Sequence, residues 1–202
     1  MRLDIRHNIR DVQRGLSDAA RNQVPFATSV AINDVLMQIK RNTERRMRRV
    51  LHNPTPFTMR AFRVRRSTKR RLEGAVFAMD IQAQYLQWAE TGGTRNPTGS
   101  ANLVPVGQRV NQYGNLPRGA IKRVLARGNT FSGRPHDGAP GGIYQRIGGK
   151  RNPRLRLLVH YADQSRYQGG RLRFQRGALR TAQERMPVAF ERALIRALST
   201  AR

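Results

Sequence analysis

The sequence predicts an α+β fold: a small antiparallel sheet flanked by two N-terminal helices and one long C-terminal helix, with a long Gly/Pro-rich loop region between them. Three observations carry this prediction. Apolar residues recur every three or four positions toward both ends of the chain, which marks amphipathic helices. Short apolar or alternating runs at 72–81, 142–147 and 155–161 read as strands. The 18 glycines and 10 prolines of the 202 residues gather mainly in the middle and break regular structure there. The order helix, helix, strands, long helix lays the helices over one face of the sheet.

In order along the chain, residues 3–22 set Leu3 or Ile5, Ile9, Val12, Leu16 and Ala19 or Ala20 on one helical face. Pro25 suits the first turn of a second helix, whose Ile32, Val35 or Leu36, Ile39, Thr43, Met47 and Val50 form its apolar face. His52, Asn53 and Pro54 end that helix, because a residue before proline is pushed out of the α region. Residues 53–62 carry two prolines and read as a loop, and 60–71 reads as a short helix or an extended arm. Residues 72–81 make a strand, which 85–90 either extend or leave as a short helix.

From 101 to 151 the chain is mostly loop, with two helical turns expected at 119–127 and a strand at 142–147. A loop region this long is expected to be ordered in an assembly. Residues 155–161 form a further strand, and 174–198 a long helix in which Pro187 predicts a kink or a fresh start near Glu184. The expected organisation is one domain over 1–202. Its helical part is 1–51, its basic arm 52–73, its sheet 74–161 with a loop insertion at 92–141, and its C-terminal helix 174–200.

Charge is the strongest functional signal. Residues 40–71 hold 13 Lys and Arg among 32 positions and a single acid, Glu44, so they carry +12 of the chain's +27. Crowded like charge repels itself, and its positive face is expected to meet a polyanion. The candidate contacts to nucleic acid or to an acidic partner are Arg45, Arg46, Arg48 and Arg49 on the second helix, and Arg65, Arg66, Lys69, Arg70 and Arg71 after it. Arginine dominates over lysine, which favours a bidentate grip on phosphate or carboxylate. A charge run usually means a solvated face, but the near absence of neutralising acids weighs against that reading here. With no zinc finger, zipper or helix-turn-helix pattern, contact is expected at the nucleic-acid backbone and not at base edges. Trp88 and the five tyrosines are dispersed, so stacking on single strands is only weakly indicated.

Chemistry finds little support. The chain has no Cys, which excludes disulfides and thiolate sites. It has no G-x-S-x-G, no H-E-x-x-H and no phosphate-loop motif, and its paired glycines fit turns. A two-metal centre would need Asp80, Glu90, Asp137 and Asp163 to converge, and the His136–Asp137 pair in RPHDGAP reads as a turn. The expectation is therefore no enzyme, no cofactor and no metal. No uncharged run approaches the roughly 20 residues of a membrane span, and the first residues lack a signal peptide's apolar core. A soluble protein made in the cytoplasm is expected.

The stretch VPFATSVAINDVLMQIKRNTERRMRRVL, in which a proline leads an Ala-Ile-Asn helix into an Arg-rich run, resembles the lambda-type minor tail protein Z family of tailed phages. The later GGIYQRI segment and the closing FQRGALRTAQERMPVAFERALIRAL are similar to that family's Gly-aromatic-Gln strand and C-terminal helix. The resemblance implies an α+β tail-completion or neck protein of the virion. It would stand in several copies as a homo-oligomeric ring between portal or connector and tail proteins, around a channel crossed by double-stranded DNA, and away from membranes. A ring subunit needs large protomer contacts, and a channel needs sequence-blind attraction to DNA, which lumenal Arg would supply. The alternative is a free, sequence-nonspecific nucleic-acid-binding or packaging protein. It explains the charge but not the order of elements.

Overall fold

The computed structural model describes residues 2–6, 18–97, 99–149 and 154–199. In chain order the described elements are β1 (Arg2–Arg6), α1 (Asp18–Val50), α2 (Pro56–Met59), β2 (Phe62–Arg65), β3 (Glu73–Ala78), α3 (Asp80–Thr91) and β4 (Gly93–Arg95). They continue with β5 (Asn102–Pro105), α4 (Ala120–Leu125), β6 (Thr130–Gly133), β7 (Gly142–Ile147), β8 (Arg154–Ala162), β9 (Ser165–Tyr167) and α5 (Phe174–Ser199). The fold is α+β, as the sequence predicts. It divides into two compact units: the chain up to Thr91 with that from Gly170 onward, and Gly92–Gly169.

In the first unit, α1 and α5 pack antiparallel on the sheet β1-β3-β2. Ala27 and Ala31 meet Ala193 and Ala197 at one end, where small side chains let the helices approach closely, and Asn42 donates to Thr181 Oγ1 at 3.2 Å toward the other. The main core lies between α1, the sheet and the start of α5. Ile32, Leu36, Ile39, Met47, Phe62, Val76, Leu172 and Phe174 are all buried in it, and the rings of Phe62 and Phe174 stack with centroids 4.6 Å apart. Each such side chain withdrawn from water contributes roughly 1.5–3 kcal/mol. Gly74 marks the closest approach of β3 to α1, since an added Cβ there would collide with Leu36 Cδ1.

The sequence-predicted helix over 3–22 is overturned at its start. Arg2–Arg6 is a strand antiparallel to β3, in register from Arg2↔Phe77 to Arg6↔Glu73. Residues 7–17, with Ile9, Val12 and Leu16, lie outside the described residues, and 18–22 belong to α1. RLDIR alternates apolar and charged residues, and β3 offers a ladder that satisfies its backbone, so the period of two prevails over the helical spacing. Pro25 does not open a helix either. It sits inside α1, where the one hydrogen bond it removes is offset by the burial of Val24 and Ala27 on either side. The predicted end does hold: α1 stops at Val50, and Asn53 takes a left-handed φ of 43° before Pro54.

Other elements also take their form from tertiary partners. The proline-rich loop contains one helical turn, α2, because Thr55 Oγ1 accepts from Thr58 N at 3.1 Å and Pro56 starts it. Of the two readings for 60–71 the extended one holds, and the arm is paired instead of free. It includes β2, paired antiparallel with β3 from Phe62↔Ala78 to Arg65↔Ala75. Of the two readings for 85–90 the helical one holds: they fall in helix α3, with Leu86 buried, and do not continue the strand. The helix α5 runs unbroken from Phe174 to Ser199 with Pro187 inside it, so no fresh start occurs near Glu184.

The second unit is built on the sheet β5-β8-β7-β6, with β4 and β9 as a separate pair. Thus the described strands fall into three sheets, not one, and the expected loop insertion at 92–141 holds β4, β5, α4 and β6. Val124 of α4 packs with Ile143, Leu158 and Val159 to form a small core of its own. The strand expected at 142–147 is β7, and Arg146 lies over the Phe131 ring at 4.6 Å. β5 is an edge strand of this sheet, with Leu103 and Val104 exposed.

Candidate polyanion interface

The stretch 40–71 is split by the fold into two basic groups. The first sits on the last three turns of α1. Arg45, Arg46 and Arg49 line the side of α1 that faces α5, while Arg41 and Arg48 lie outside that lining. A groove of about 360 Å³ opens between the two helices, lined by Arg45, Arg46 and Arg49 from α1 and by Arg173, Gly177, Arg180 and Glu184 from the α5 side. Asn42, Thr43 and Thr181 also line it. Lys40 is tied to Glu44 at 3.4 Å along the helix, and Arg48 is exposed outside the groove.

Two of the groove's guanidinium groups are held in place by backbone. Arg46 donates from Nε and Nη2 to the Arg171 carbonyl at 3.0 and 2.8 Å. Arg173 donates from Nε to the Gly170 carbonyl at 2.7 Å and itself holds a left-handed φ of 47° just before α5. A bulky residue in that region is strained by about 1–3 kcal/mol and is kept there by its surroundings. Arg180 pairs with Glu184 at 2.7 Å, and the hydrogen bond and charge of that carboxylate raise the guanidinium above its already high ordinary pKa. Among the described residues no hydrogen bond or ion pair engages the side chain of Arg45 or Arg49.

The second group is the tip of the β2–β3 hairpin. Thr68 and Arg71 exchange backbone hydrogen bonds at 2.9 and 3.0 Å, which makes Lys69 and Arg70 the two central residues of a tight turn. Arg66, Lys69 and Arg70 are exposed there, Arg71 reaches back to Glu73 at 3.2 Å, and Arg65 is half-buried on β2. The base of this tip is fastened to α1. Asn33 donates to the Ser67 carbonyl at 3.1 Å and accepts from Ser67 N at 2.9 Å, while Ser67 Oγ lies 2.9 Å from Ser29 Oγ. Between Asn33 and the arginines at 45–49 the helix rises about 20 Å, so the two groups are separate sites on one rigid rod.

The carboxylates that sequence reading set aside as metal candidates are found apart. Asp80 opens α3, Asp137 lies in a turn closed by Ala139 N to the His136 carbonyl, and Asp163 follows β8. Glu90 has a definite structural use: its two oxygens accept from Phe174 N at 2.7 Å and Gln175 N at 3.2 Å, capping α5. That fills the electropositive N-terminus of α5 from within, so anion binding at this end falls to arginine side chains. Among the described residues no three of His, Asp and Glu gather as a metal site, and no helix is long and apolar enough to cross a membrane.

Sequence reading missed Glu90 as a cap and Arg173 and Arg180 as neighbours of Arg45 and Arg49. Nothing local signals either, because each depends on a partner more than eighty positions away in the chain. No protein-family model matches the chain, and no curated protein or solved structure is significantly similar to it.

Proposed function

We propose that this chain is a structural virion protein of a tailed phage, a subunit of a homo-oligomeric ring at the head-to-tail junction, whose basic surface meets the backbone of DNA in the channel. The observation that carries the reading is the hairpin tip. Arg66, Lys69 and Arg70 project from a turn whose base is bonded to α1 through Asn33, so the positive charge is presented on a fixed support. Contact of that kind attracts phosphate without reading sequence and without gripping one register.

A ring also needs protomer contacts, and exposed apolar side chains supply material for them in both units. Phe57, Met79 and Ile81 are exposed in the first, and Leu103, Val104 and Val106 in the second. The edge position of β5 makes the latter group suited to pairing with another chain.

The test is a reconstruction of the particle, in which several copies around the tail axis at the junction are expected. Absence from the particle, or a single copy off the axis, overturns the proposal. In parallel, replacing Arg66, Lys69 and Arg70 by Gln should flatten the salt dependence of duplex binding, by about 0.9 in log–log slope for each phosphate that is no longer neutralised. Tight, steeply salt-dependent duplex binding by an isolated monomer would instead identify a free nucleic-acid-binding or packaging protein.

A further inference from the structure

We infer that the groove between α1 and α5 is a docking site for an acidic peptide segment of a different protein, and that it is distinct in its ligand from the hairpin tip. This deepens the reading above by naming the partner chemistry of the α1 arginines, and it rests on that reading only for where the partner would be met.

The groove collects five arginines against one carboxylate, Glu184, which Arg180 already engages. Arg46 spends Nε and one Nη2 hydrogen on the Arg171 carbonyl and keeps three of its five N–H donors; Arg173 spends Nε on Gly170 and keeps four. Both forks are thus oriented before any ligand arrives, which lowers the entropic cost of binding. Carboxylate matches such forks in bidentate geometry. Arg45 and Arg49 add exposed charge beside them.

The shape selects among anions. A duplex carries its phosphates on a convex surface wider than a groove of about 360 Å³, so it can touch the hairpin tip and the exposed Arg45, Arg48 and Arg49 but cannot reach into the groove to the half-buried Arg46 beside the Arg171 carbonyl. A carboxylate on a flexible stem can enter. A second copy of this chain is a poor source of such a segment, because its 12 carboxylates are scattered singly and no two lie closer than seven residues. The occupant is therefore a separate protein with clustered Asp or Glu.

The experiment titrates the full chain with a labelled hexaglutamate peptide, followed by fluorescence anisotropy. Three variants are compared: R45Q/R49Q in the groove, R41Q/R48Q on the same helix but outside it, and R66Q/K69Q/R70Q at the hairpin. Arg41, Arg45, Arg48 and Arg49 are all exposed, so the two helix variants should keep the wild-type melting temperature. The groove variant should lose about tenfold or more in peptide affinity, and the outer pair, which removes the same charge, less than about threefold. Equal losses in the two helix variants would reduce the effect to net charge and overturn the proposal. So would displacement of the peptide by a short random-sequence duplex together with a matching loss of duplex affinity in R45Q/R49Q. Unchanged duplex binding by the hairpin variant counts against DNA contact at the tip, and leaves the groove to be decided by the peptide titration.

Discussion

Replacing Asn33 by Ala tests whether the basic hairpin is truly fastened to α1. Its amide makes two hydrogen bonds to the backbone of Ser67, at 3.1 and 2.9 Å, and no other side chain bonds that peptide's N–H and C=O in the described structure. Each bond is worth about 1 kcal/mol net, and the position is half-buried, so the pair contributes about 2 kcal/mol. With an unfolding entropy near 2.1 cal/mol/K per residue, a chain of 202 residues loses about 5 °C in melting temperature for that change. Thermal unfolding by circular dichroism measures the shift, and hydrogen exchange locates it. The amides of Ser67, Thr68 and Arg71 should lose protection beyond the global change, while those of α5 should follow the global change alone. Ser67→Ala should leave both bonds intact, since they use the backbone, and because the two residues touch, its effect should depart from simple addition to that of Asn33→Ala. A melting temperature within a degree of wild type, or hairpin amides that exchange as before, would refute the anchoring of the tip.

Three other substitutions probe the scaffold. Glu90→Ala should cost about 1–2 kcal/mol by uncapping α5, with Glu90→Gln costing less because one oxygen still accepts, as read by thermal unfolding and by exchange at Phe174 and Gln175. Gly74→Ala should destabilise by about 1–3 kcal/mol through its clash with Leu36, and the double variant with Leu36→Ala should be less destabilised than the sum, measured by denaturant unfolding. Gly177→Ala should stabilise by about 0.5–1 kcal/mol, because the position is helical and an added Cβ meets open space.

Much of the fold was legible where a segment's pattern is decided by its own residues. The apolar face Ile32, Leu36, Ile39, Met47 is the face that α1 buries, and GIYQRI is a strand with the bounds its composition suggests. Elements that depend on a distant partner were not. LRLLVHY reads as a strand in isolation, whereas RLDIR becomes one by pairing with β3 some seventy residues away. Pro25 reads as a helix start and Pro187 as a kink or a fresh start because a local rule takes no account of packing on either side; with Val24, Ala27 and Ala193 buried nearby, both helices continue through them.

The charged stretch at 40–71 divides in the same way. By itself the sequence determined that this region is basic, that its first half rides on a helix anchored by apolar residues, and that no catalytic or thiol chemistry pattern accompanies it. Tertiary structure alone decided that the stretch forms two groups. Bonds from the Asn33 side chain to the Ser67 backbone hold Lys69 and Arg70 at a hairpin tip, while Arg45, Arg46 and Arg49 join Arg173 and Arg180 across a groove. Charge is a property of residues and is summed along a chain. A site is a property of distances: the hairpin tip depends on a contact 34 positions apart, and the groove on contacts more than a hundred apart, where the antiparallel packing of α1 and α5 brings like charges to face one another.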